Sequence, residues 1–163
     1  MAARDIVKAP SPTLRRKARR VTIVDASIRK LVDDMFESMY AAKGGGLAAP
    51  QIGVSLRVVV FAPPEQETLV LINPEIVKRE GERLVSEGCL SIPGVRALMK
   101  RAVMVKAKGL DLDGRQVRVK AEGYLAQAIE HELDHLDGVL MTDKMERELQ
   151  PEEEPEPAEA LAS

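Results

Sequence analysis

Apolar residues at Ile28, Leu31, Val32, Met35, Phe36 and Met39 recur three and four positions apart, the repeat of a helix with one buried stripe. Asp25 precedes them as a helix cap. Gly44-Gly45-Gly46 ends the element, because three glycines cannot sustain a helix cheaply. The period then changes. Residues 56–62 and 69–72 are β-branched apolar runs parted by Pro63-Pro64, and both read as strands. Asn73-Pro74 predicts a turn, with further strands at 75–79 and 83–87. Asp113-Gly114 is a hairpin signal, flanked by arms at 102–112 and 115–121. In the second arm Val117, Val119 and Ala121 alternate with Gln116, Arg118 and Lys120, so one face is buried. Gly123 opens a second helix that runs to about Leu136, with Gly138 just beyond its end. This order predicts an α+β domain of mostly antiparallel strands packed around a central C-terminal helix.

Composition narrows the class. The 163 residues are 45% apolar and 31% charged, enough for one domain with a real core. No apolar run is long enough to span a bilayer. Two Phe, two Tyr and no Trp leave almost nothing on which bases could stack, so no nucleic-acid motif is expected. The net charge of −2 conceals a split, since residues 146–163 hold seven Glu and one Arg. That end is rich in Pro and like charge and cannot offset its ordering entropy. The expected organisation is a domain over 1–148 and a disordered acidic Pro/Glu-rich tail over 149–163. Residues 1–20 carry seven basic side chains against one Asp, the composition of an organelle transit peptide. Pro10 and Pro12 interrupt any amphipathic helix there, so the segment is read as part of the mature protein.

Chemistry concentrates in the last helix. The two histidines stand four apart in His131-Glu132-Leu133-Asp134-His135, so both imidazoles can face one ion. Glu132 is rotated about 100° from His131, able to act on a water without being a ligand. The apolar neighbours Leu125, Ala128, Ile129, Leu133 and Leu136 mark the helix as buried, where unsatisfied His and Glu would be costly. A catalytic ion usually takes a third protein ligand. Met141 stands where the metzincin pattern has its third His, and Glu152 to Glu154 lie in the Pro-rich end. The lone thiol, Cys89, remains, and thiolate is a strong ligand for borderline divalent metals. An inert buried thiol and a nucleophile with a His base are the other readings of Cys89.

Three stretches together resemble the peptide deformylases. Gly44-Gly45-Gly46-Leu47-Ala48-Ala49-Pro50-Gln51 is similar to their first motif, Glu87-Gly88-Cys89-Leu90-Ser91 to the second, and His131 to His135 to the third. Ile72-Asn73-Pro74 and His135-Leu136-Asp137-Gly138 match as well, and the likeness covers roughly residues 5–146. It implies a cytoplasmic, bacterial-type hydrolase that removes the formyl group from the N-terminal methionine of new polypeptides. Cys89, His131 and His135 would hold one divalent ion with a water in the fourth place: Fe²⁺ by the resemblance, with Zn²⁺, Ni²⁺ or Co²⁺ able to replace it on isolation. Glu132 would carry the proton, and Gln51 with the Leu90 backbone N–H would meet the oxyanion. Gly44, Gly45, Gly46, Leu47 and Gln127 would border the substrate. Nascent formyl-Met peptides are then the partners, met near the ribosome. Docking on the ribosome is not carried over, since the acidic end is unlike the basic helical extension of some relatives.

Three positions depart from the family pattern. Gly45 replaces a β-branched aliphatic residue, so an apolar wall beside the substrate methionine is expected to be missing, and Ile at 45 to restore it. Glu130 replaces a Gln before the first His, and Gln127 puts a polar group near the methionine pocket. Two other functions fit less of the inventory. A non-catalytic binder of N-terminal peptides need not keep Glu132 or Gln51. A general metallopeptidase explains neither Cys89 nor Gln51.

Overall fold

The computed structural model describes residues 2–153 and 161–162. Helix α1, Ala26–Ala41, starts where the Asp25 side chain accepts from the N–H groups of Ser27 and Ile28 at 3.0 and 3.3 Å. It ends before the glycines. Lys43, at φ 59°, takes the left-handed position, and the Lys43 and Gly44 N–H groups close back on Tyr40 and Met39 at 3.0 and 2.9 Å. Gly46 is therefore free to begin the first strand.

Five strands form one antiparallel sheet in the order β1, β2, β3, β6, β7. They are β1 Gly46–Ala48, β2 Val58–Phe61, β3 Leu69–Glu80, β6 Met104–Leu110 and β7 Gln116–Glu122. A second sheet contains β4 Arg83–Cys89, β5 Ile92–Arg101, β8 Arg147–Leu149 and β9 Leu161–Ala162. Its pairs are antiparallel except for β4 with β9. Helix α2, Gly123–Leu136, packs between the sheets, and the short α3, Met141–Lys144, follows.

Strand β2 shows why its run is continuously apolar. Val58 and Val60 pack towards α1, Val59 and Phe61 towards α2, and all four are fully buried. On α2 the buried set includes Leu125, Ala128, Ile129 and Leu136 as well as His131, Glu132 and His135. Burying each large apolar side chain here contributes about 1.5–3 kcal/mol. The expected fold of mostly antiparallel strands around the last helix is the fold observed.

Two expectations on the sheets change. Asn73-Pro74 makes no turn: β3 runs through it, with a register shift between Ile72 and Glu75. Asn73 sits at φ 52°, and its side chain bonds the Val21 N–H at 2.8 Å and the Val21 carbonyl at 2.9 Å. The bulge accommodates the proline's missing N–H without breaking the strand. Strand β5 was not foreseen, because Pro93 and Gly94 disguise its start.

The hairpin at Asp113-Gly114 forms as expected, with Gly114 at φ 75°. At the C-terminal end, Leu149 is buried and Arg147 pairs with Glu153 at 2.6 Å. Described structure thus continues past the expected tail boundary at 149, while residues 154–160 and 163 lie outside the described residues.

Candidate metal centre

Helix α2 sets His131 and His135 one turn apart on a buried face, and the end of β4 brings Cys89 to them. One donor atom from each of the three lies within 4.8 Å of the others, and all three residues are buried. Cys89 Sγ is 3.4 Å from His135 Nε2. Cys89 and Glu87 are two apart on β4 and so project to the same side. Glu87 meets His131 Nδ1 at 2.6 Å.

That contact decides which ring nitrogen of His131 could bind an ion. Burial pushes Glu87 up, but His131 and Arg101 outweigh it and hold the carboxyl at about 2. An ionised carboxylate only accepts, so His131 Nδ1 donates to it and Nε2 is the ring nitrogen that Glu87 leaves unengaged. His131 Nε2 is buried and has no hydrogen-bond partner among the described residues. A buried imidazole nitrogen placed this way beside a thiol and a second imidazole fits a divalent ion with N and S ligands.

Glu87 is itself anchored. Arg101 on β5 donates to it through Nε at 2.9 Å and Nη2 at 2.6 Å, and reaches Asp134 on α2 at 3.2 Å. Gln127 donates to Glu87 at 3.3 Å and to the Ser86 carbonyl at 3.2 Å. Sequence reading assigned no role to Glu87 or Arg101. The position of Glu87, two before Cys89 on a strand, was a usable signal. Arg101 carried none.

The other expected site residues gather here too. Gln51, fully buried in a 3₁₀ turn at Ala49–Ile52, accepts from the Ala48 N–H at 3.0 Å. Its Nε2 donates to Ser91 Oγ at 3.2 Å and lies 3.9 Å from Cys89 Sγ. Leu90 follows Cys89 in the bend between β4 and β5. Glu132 lies against Gly46, where a Cβ would come within 2.9 Å of Oε2. Gly46 and Leu47 pair with Phe61 and Val60, while the Gly45 carbonyl accepts from the Ala62 N–H at 2.9 Å.

The missing wall at Gly45 is a correction. A Cβ there would fall on the Tyr124 hydroxyl, with Tyr124 Cζ 3.0 Å away, so the space is already filled. Tyr124 also lines a cavity of about 560 Å³ with Gln127, Ser86, Val85, Leu98 and Arg83. Burial, aided by Glu132, pushes the Tyr124 hydroxyl up to about 12, so it stays protonated.

This architecture matches known proteins over nearly its whole length. A family model described as polypeptide deformylase matches residues 3–150. A peptide deformylase of Dehalococcoides mccartyi is 56% identical over 149 residues, covering 91% of this chain and 89% of that one. One of Symbiobacterium thermophilum is 51% identical, covering 99% of this chain and 78% of its own. The crystal structure of a peptide deformylase from Legionella pneumophila, 44% identical, superposes with a TM-score of 0.85 over 92% of this chain and 88% of that one. The chain belongs to the polypeptide deformylase family, metal-dependent hydrolases that remove the N-formyl group from nascent peptides.

Proposed function

We propose that Cys89, His131 and His135 hold the ion of this deformylase and that Glu132 moves the proton. The observation that carries this reading is the convergence of three buried donors within 4.8 Å, with Glu87 leaving His131 Nε2 as a ligand atom. When bound, the ion supplies Lewis acidity at the formyl oxygen and acidifies the attacking water. The protein supplies the rest. The Glu132 carboxylate takes a proton from the water and delivers it to the leaving amine nitrogen, so one group serves both steps. The Gln51 side-chain amide and the Leu90 backbone N–H donate to the oxygen as it gains negative charge. Gln51 is held for this by the Ala48 N–H on its oxygen, which turns its NH₂ towards Cys89. Gly44, Gly45, Gly46 and Leu47 border the peptide, and Gly46 admits both the substrate and Glu132. Gln127 steadies Glu87 while lining the neighbouring cavity.

We assign Fe²⁺ as the working ion, with Zn²⁺, Ni²⁺ and Co²⁺ as replacements. The ligand set alone favours Zn²⁺ over Fe²⁺ by affinity. Iron is supported by the family and by its readiness to add a ligand when the formyl oxygen binds. Action on nascent chains puts the enzyme in the cytoplasm near the ribosome; no described helix is long and apolar enough to cross a membrane. The test strips the metal, reloads anaerobically with each ion, and follows formate release from a formyl-Met peptide, with acetyl-Met and internal peptides as controls. The Fe²⁺ form should turn over fastest and decay in air as Cys89 oxidises. Equal turnover with Zn²⁺ and no oxygen sensitivity would refute the iron assignment, and cleavage of the controls would refute the substrate.

A further inference from the structure

Strand β4 has two edges, and they are filled unequally. Along one of them β5 pairs from Arg83 to Cys89. On the other, the described residues place a partner only at the end of the strand. There β9 runs parallel to β4, with Leu161 opposite Glu87 and Ala162 opposite Gly88. The next residue of β4 is Cys89, so β9 advances towards a candidate ligand and lies beside the backbone of the residue that anchors His131. The sequence explains why this stretch can pair and the one before it cannot. Residues 150–157 hold three Pro and four Glu, which deny a ladder its donors and repel one another. Ala158-Glu159-Ala160-Leu161-Ala162-Ser163 has no Pro and one charge. The eight residue steps from Glu153 to Leu161 reach at most about 28 Å. Glu153 lines a cavity with Ser86, the neighbour of Glu87, so the chain can make this pairing with itself.

We propose that the segment at Leu161–Ala162 is an internal competitor of the peptide substrate, a strand of the chain's own that occupies the edge of β4 beside the metal centre. This rests on the reading of Cys89, His131 and His135 as the ligand set. A strand edge accepts one added strand at a time. A peptide that brings its formyl group to an ion on Cys89 must lie where β9 now lies or displace it. Two register pairs in parallel pairing make a weak hold, so substrate can displace the segment. Tethering offsets that weakness, because a linked segment acts at an effective concentration on the order of millimolar. The block is therefore partial and competitive: it raises KM and leaves kcat alone.

The experiment compares three metal-loaded proteins: the full chain, a chain ending at Glu153, and the full-length double variant Leu161→Pro/Ala162→Pro. Ending at Glu153 keeps buried Leu149 and the Arg147–Glu153 pair. The double variant keeps the length and charge of the chain but removes the N–H groups that could join a ladder. Steady-state formate release from a formyl-Met tripeptide should show KM lowered about threefold or more in both altered proteins, with kcat unchanged. A synthetic peptide of residues 158–163, added at millimolar concentration to the shortened chain, should raise KM again without lowering kcat. Amide exchange at 87–89, followed in the same proteins, should be faster wherever the strand is lost. Equal KM in all three active proteins, or a noncompetitive effect of the added peptide, would overturn the proposal. So would a KM of the full chain that falls on dilution, since that places the segment on a second copy. If every protein binds metal and none releases formate, the site reading fails instead. Exchange at 87–89 then still decides the pairing, and equal rates in all three proteins would overturn it.

Discussion

Glu132 depends on the residue opposite it having no side chain. Gly46 leaves room for its carboxylate, and a Cβ at 46 would press within 2.9 Å of Oε2. Glu132→Gln keeps the shape and the three ligands but cannot take a proton. Formate release should fall by about 10²–10⁴-fold or more, since the proposed mechanism uses this one group for both proton transfers. Metal content of the same preparation should match wild type. An active Glu132→Gln protein would remove the proton-carrier role. At this scale the sequence was a good guide, because spacing on one helix fixes His131, Glu132 and His135 together. It misjudged Gly45, whose neighbour Tyr124 is remote in the chain.

Between elements, the decisive contact is the polar chain from α2 through β4 to β5. His131, Glu87, Arg101 and Asp134 join two strands and a helix, and Arg101 and Glu87 are almost wholly buried. Removing one partner of such a pair leaves the other charge without full compensation, at a cost of about 3–5 kcal/mol. Arg101→Met should therefore lower stability by roughly that amount in urea unfolding. It should also loosen the orientation of His131, weakening metal affinity about 10–100-fold in a chelator competition. Unchanged stability and affinity would show that Glu87 needs no support from β5. Helix α2 closes with its own signal, Gly138 at φ 74°, and the Arg15 backbone occupies the place of a Cβ there. Gly138→Ala combines backbone strain with a collision, and a clear fall in melting temperature is expected.

The whole domain is also tied at its start. Asp34 on α1 is buried and accepts from the Ala2 N–H at 3.0 Å, Arg4 at 2.8 Å and Lys30 at 3.1 Å, which binds the N-terminal segment to the helix. The Ala2 N–H first, then Arg4 and Lys30, hold its carboxyl well below the usual range in spite of burial. A depressed carboxyl stabilises the fold above its unfolded value of about 4, and that contribution fades as pH falls towards the folded value. Asp34→Asn should accordingly melt below wild type at pH 7. The gap should narrow steadily below about pH 4. A gap that stays constant or widens on acidification would contradict the assignment. Stripping the metal should lower the melting temperature further, because ligands that bind only the folded state stabilise it by mass action.

What the sequence by itself determined is what local period and local chemistry dictate. The stripe of α1, the strand at β2, the Asp113-Gly114 hairpin and the His-Glu-x-x-His face all follow from a helical repeat, a continuous apolar run, a turn signal or a four-residue spacing. The three motifs named the family. Tertiary structure alone decided the rest, because distances between elements depend on packing that no short spacing encodes. It set Cys89 against a histidine 46 residues away, and it turned Asn73-Pro74 from a turn into a bulge clasping Val21. It recruited Glu87 and Arg101 behind His131. It also filled the gap at Gly45 with Tyr124, since an empty space beside a buried helix is closed by whichever side chain can reach it.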